Sequence, residues 1–84
     1  MRKKRIGRFL CADSKVCHGK LTFRGTRILV SDVLELVAAG LTWDDIVSEC
    51  RKSISRAAIA EAIRVAGRSI AEHADEYLER PASV

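Results

Sequence analysis

Apolar and polar residues follow two rhythms along this chain, and the change from one to the other falls inside a single stretch, residues 19–40. Between Lys20 and Val30 the apolar members Leu21, Phe23, Ile28 and Val30 alternate loosely and are interrupted by Arg24, Gly25, Thr26 and Arg27. This spacing predicts two short extended pieces, 20–22 and 27–30, joined by a turn. From Ser31 the spacing becomes helical, with Val33, Leu34, Val37 and Ala38 on one face. Ser31 is placed to cap that helix, Asp32 suits its positive end, and Gly40 can take the left-handed conformation that closes it.

The flanks complete the outline. Residues 1–8 read as a basic lead broken by Gly7, mobile until something binds it. Within residues 9–17, Phe9, Leu10 and Cys11 open a short strand that ends in a turn at Ala12, Asp13 and Ser14, and Gly19 permits the next reversal. Thr42 with Asp45 three residues on forms a capping box, and Leu41 with Ile46 forms a hydrophobic staple, so a second short helix runs to about Cys50. Arg51, Lys52 and Ser53 make a basic turn, and Ser55 caps a third helix from Arg56. Ile59, Ile63, Ala66, Ile70, Ala74 and Tyr77 recur at steps of three or four, so that helix is expected to reach about Arg80, where Pro81 stops it, with Gly67 as a weak point. The stripe continues past the length that a three-helix core needs.

Composition narrows the class. Eighty-four residues support one core, and 48% hydrophobic content with few aromatic residues makes that core thin, which favours association with a second copy. A net charge of +4 favours polyanions. Its distribution is uneven: Arg2, Lys3, Lys4, Arg5 and Arg8 lead, whereas Asp44, Asp45, Glu49, Glu72, Asp75, Glu76 and Glu79 come later. Three cysteines without CxxC spacing and no apolar signal segment point to a cytosolic, reduced protein, and no apolar run is long enough for a membrane span. Cys11, Cys17 and His18 lack the paired spacing of a zinc site and read as small packers and a surface residue, with no cofactor expected. No serine or cysteine sits with a plausible base and orienting acid, which argues against an enzyme.

Two capped helices joined by a short turn outline a helix-turn-helix, in which the third helix would present Arg56, Ala57, Ala60, Glu61 and Arg64 to a groove. Candidate DNA-binding residues are therefore Arg2, Lys3, Lys4, Arg5, Arg51, Lys52, Arg56, Ala60 and Arg64, with Glu61 as a possible cytosine reader. The alternative is a compact bundle whose third-helix face is only solvated. Around Gly25 an anion site competes with a plain turn in which Thr26 bonds locally and Arg27 pairs with a carboxylate of the next helix, and the turn is favoured.

Gly19-Lys20, Arg24-Gly25-Thr26-Arg27-Ile28, Val30-Ser31, Leu34 and Ala39-Gly40-Leu41 together resemble the small prokaryotic family called domain of unknown function 433, over about residues 9–66. The chain departs from that pattern at Ser14, Leu21 and Leu29, where the family usually has proline, at His18, and at Cys50-Arg51, near which it has Tyr-Pro. The resemblance implies a homeodomain-like helical fold, which together with the spacing read above gives the expectation of a mainly α, three-helix helix-turn-helix domain with a short N-terminal β ribbon and an extended C-terminal helix. It also implies a homodimer acting as the VapB-like antitoxin of a type II toxin-antitoxin pair with a PIN-like ribonuclease toxin, while the charge and the helix-turn-helix outline add operator DNA as an expected partner. On that expectation the chain divides into an arm (1–8), a ribbon plus helix-turn-helix (9–66) and a helical extension (67–84). Toxin contact falls to Arg68, Ile70, Ala74, Tyr77, Leu78 and Arg80. PIN-type sites are acidic and metal-binding, so Arg68 or Arg80 could displace the metal there. A small dimeric interaction module without DNA binding is the competing expectation.

Overall fold

A computed structural model describes residues 4–78. The chain begins with three short antiparallel strands, β1 (Lys4–Ile6), β2 (Leu10–Ala12) and β3 (Leu21–Phe23), in the order β1-β2-β3. Four helices follow: α1 (Val30–Ala38), α2 (Trp43–Glu49), α3 (Arg56–Glu72) and α4 (Ala74–Leu78). The fold is mainly α with a small sheet at one side.

Register explains how so small a sheet holds. Ile6 stands opposite Leu10, and Leu10 opposite Phe23, so these three share one face. That face meets the helices: Leu10 and Phe23 join Val30, Val33, Ile46, Ile54, Ala58, Ile59 and Ala62 in one buried cluster. Burial of each large member contributes about 1.5–3 kcal/mol. Thr22 on the other face is buried as well, and its hydroxyl donates to the Cys11 carbonyl at 3.3 Å.

The first strand corrects the expectation of a mobile lead, because residues 4–6 pair with 10–12. Residues 27–30 do not form the expected second half of a ribbon. Thr22 and Leu29 make a single bridge, and the chain then enters α1 one residue before Ser31. Leu29 occupies the cap position without any side-chain cap bond, so Ser31 lies inside the helix. Burial of Val30, at 5% exposure, sets that start in place of a cap. The turn before it is built as the local reading required: Gly25 has φ +79, the Thr26 hydroxyl donates to the Phe23 carbonyl at 2.8 Å and accepts from the Ile28 N–H at 3.0 Å. Arg27, however, makes no ion pair with the next helix among the described residues.

The remaining caps follow their residues. At Gly40, φ +95, the Gly40 N–H donates to Val37 and the Leu41 N–H to Leu36, a Schellman closure of α1. Thr42 and Asp45 exchange both bonds of the capping box, and Ser55 Oγ accepts from the Ala58 N–H at 3.1 Å. The long helix passes through Gly67 without a break and ends at Glu72, where His73 interrupts it before α4. His73 Nδ1 lies 2.9 Å from the Ser69 carbonyl, a local side-chain bond at the interruption. The expected end near Arg80 and Pro81 lies outside the described residues.

Candidate nucleic-acid interface and the C-terminal helix

The α2–α3 corner is held in an unusual backbone shape. Its Arg51 N–H donates to the Ser48 carbonyl and its Lys52 N–H to the Val47 carbonyl, which repeats the Schellman pattern seen at Gly40. Here non-glycine residues adopt the left-handed conformation, with φ 53 at Arg51 and 61 at Lys52. Both side chains are exposed at the corner. Cys50 beside them is partly buried, and burial, then the neighbouring Glu49 charge, pushes its thiol up. That keeps it a protonated packer at neutral pH.

The face of α3 is partly committed inside the molecule. Arg56, its first residue, pairs with Asp44 of α2 at 2.6 Å and lies 5.5 Å from the centre of the Trp43 ring. Ala57 and Arg64 are exposed, Ala60 is partly so, and helical spacing puts the three on one side. Glu61, offered by its sequence position as a cytosine reader, is engaged inside the molecule. Its carboxylate accepts from the Arg8 N–H at 3.0 Å and the Phe9 N–H at 2.8 Å, so both oxygens belong to the β1–β2 turn. These bonds, the Arg8 one foremost, hold its pKa below the ordinary carboxylate value, helped by the charges of Arg8 and Arg64.

This clamp places Arg8, a cation distant in sequence, beside α3. Arg8, 5.4 Å from the centre of the Phe9 ring, stands beside the helix face that carries Arg64. Arg5 is exposed on β1 opposite Cys11, on the sheet face it shares with Thr22 and away from the helices, and Lys4 opens the same strand. Arg2 and Lys3 lie outside the described residues. Sequence spacing gave no sign of the Arg8–Glu61 relationship, because 53 positions separate them and no local pattern links a turn to a helix that far away.

The distal half of α3 leaves the core behind. Its buried residues end at Ala62, and Ile70 is 56% exposed. Arg68 is exposed and Ala74 partly buried, Tyr77 and Leu78 are helical positions of α4, and Arg80 lies outside the described residues. An apolar groove of about 610 Å³ runs between α1, α3 and the sheet, lined by Ile6, Leu21, Leu34, Val65 and Ala66 among others. Among the described residues no helix is long and apolar enough to cross a membrane.

No curated protein and no solved structure matched the chain. A family model described as Protein of unknown function (DUF433) matches residues 12–66, which span β3, α1, α2 and the core-facing part of α3, and the chain belongs to that family.

Proposed function

We propose that this protein is the antitoxin of a type II toxin-antitoxin pair, binding operator DNA as a homodimer and neutralising a PIN-like ribonuclease with its C-terminal helix. The observation that carries the DNA half is the Glu61 clamp, which brings the basic β1–β2 turn to the side of α3 that carries Arg64. Three further features support it. Helices α1, α2 and α3 each pack on the other two, the third is the longest, and the connection from α2 to α3 spans residues 50–55, the outline of a helix-turn-helix. Arg51 and Lys52 stand at that corner, where backbone phosphates run in such complexes. Arg5, Ala60 and Arg64 add an exposed cation on the strand and a short residue followed by a cation on the helix.

For the toxin half, support comes from length and exposure. The helix continues ten residues beyond Ala62, the last buried position, and presents Ile70 and Arg68 to solvent. An exposed apolar residue on a projecting helix suits a groove in a partner.

Binding to the promoter of its own operon is the direct test. Duplex affinity should fall steeply with salt, and the DNA half fails if no duplex is bound at low salt. Loss of ribonuclease inhibition on truncation after Ala66 tests the other half. A small dimeric interaction module without DNA binding is the second reading, favoured by the apolar groove against α3. It predicts dimerisation with no salt-sensitive duplex binding.

A further inference from the structure

A cleft of about 230 Å³ opens where the β1–β2 turn, the turn after β3 and the α2–α3 corner meet. Phe9 and Phe23 form part of its floor, and Arg24, Lys52, Ser53 and Ser55 stand around it. The two cations come from loops that are 28 positions apart in the chain, since residues 24 and 52 bound the interval. Both are anchored through their backbones: the Arg24 N–H donates to the Phe9 carbonyl at 2.6 Å, and the Lys52 N–H to the Val47 carbonyl at 2.9 Å. Ser55 Oγ spends a lone pair on the Ala58 N–H and keeps its hydroxyl proton to donate.

Charge balance identifies the ligand class. Among the described residues, no carboxylate lines this cleft or lies in ion-pair reach of Arg24 or Lys52. Arg24 and Lys52 both line this one cleft, and an anion there would accept charge-assisted hydrogen bonds from each. The neighbouring cleft of about 330 Å³ has Arg27 but also Asp13, so its charge is already offset. An aromatic floor with hydroxyl donors and two cations fits a compact, multiply accepting group.

We propose that this cleft holds one phosphate of a nucleic-acid backbone, with Arg24 and Lys52 on its non-bridging oxygens and Ser53 and Ser55 donating their hydroxyls. This assignment rests on the DNA reading above and adds to it a fixed point of register at the α2–α3 corner. It also gives Arg24 a role in binding, where the sequence pattern made it part of a turn.

The full chain, labelled with nitrogen-15, is titrated with inorganic phosphate, and the wild type, Arg24→Gln, Lys52→Gln and the double variant are then titrated with a promoter duplex at several salt concentrations. The amides of residues 52–56 should shift with phosphate in the wild type and not in the double variant. Each single variant should weaken duplex binding about 3- to 10-fold for every sequence tried and lower the salt slope by about 1. Unchanged urea midpoints would show that the fold is intact. Duplex binding with unaltered affinity and slope in both variants overturns the cleft while leaving the DNA reading in place. Phosphate shifts without any duplex binding overturn the nucleic-acid assignment and leave a free-phosphate site, and no response to either probe overturns both.

Discussion

Gly7 and Glu61 occupy adjoining space so tightly that a Cβ on residue 7 would lie 2.6 Å from the Glu61 Cδ and 2.7 Å from each of its oxygens. Gly7 also has φ +66, a backbone conformation that side chains disfavour. The β1–β2 turn is thus shaped around a carboxylate that belongs to α3, and the sheet is fastened to the helices at that point.

Gly7→Ala should destabilise the protein by about 2–3 kcal/mol, combining the left-handed penalty with displacement of the carboxylate. Urea unfolding measures it. Because both residues serve one contact, Gly7→Ala and Glu61→Ala should be strongly non-additive, and additive effects would show that the clamp is not shared.

Acid should loosen the same contact. The folded pKa of Glu61 is held below its ordinary value of 4.5, so its stabilising share is complete above that value and is lost as pH falls through the depressed one. A plot of urea midpoint against pH should therefore decline less between pH 5 and the lowest pH reached, on the order of pH 2, in Glu61→Gln than in the wild type. Parallel curves would mean that other carboxylates carry the acid sensitivity.

Arg51 stands in the position after a helix end that glycine usually fills, at φ 53. Arg51→Gly should stabilise the chain by about 0.5–1 kcal/mol, raising Tm by roughly 2–8 °C, while weakening duplex binding through loss of a cation. Calorimetry and anisotropy on the same sample separate the two effects. A lower Tm would indicate that the Arg51 side chain contributes packing that its exposure does not suggest.

Arg56 and Asp44 form an ion pair whose side chains are 60% and 80% exposed, so the pair contributes at most about 1 kcal/mol. Asp44→Asn should leave stability nearly unchanged and strengthen duplex binding several-fold, because it removes a negative charge beside the start of α3. Weaker binding after this change would place that end of the helix away from DNA.

Truncation after Ala66 removes no residue of the buried cluster. Cooperative unfolding should persist with a loss of about 1 kcal/mol or less, mostly from fraying of the new helix end. Circular dichroism through a urea series would reveal the alternative, a collapse of cooperativity that makes the distal helix part of the fold.

The local chemistry of α2 and α3 was legible because caps act within one turn. Thr42, Asp45 and Ser55 do what their spacing predicts, and so does Gly40 at the end of α1. Legibility failed where partners are distant. Lys4–Ile6 reads as a tail of cations until β2 is set beside it, and Ser31 reads as a cap until burial of Val30 pulls the helix start back. Arg56 looked free for a partner, yet Asp44, twelve positions earlier, holds it.

Local patterns along the chain were enough for a mainly helical reading, the two side-chain caps, the closure at Gly40 and an apolar stripe longer than the core it serves, since each depends on residues within a few positions of one another. Packing of the sheet on the helices is what makes Glu61 clamp the β1–β2 turn, brings Arg8 beside α3 and puts Arg24 and Lys52 on one cleft. Those relationships bring together groups 28 to 54 positions apart, counting from Arg24 to Lys52 and from Gly7 to Glu61, and such pairs are set by how the sheet packs on the helices. Periodicity records which face of an element is buried, and it carries no information about which neighbour buries it.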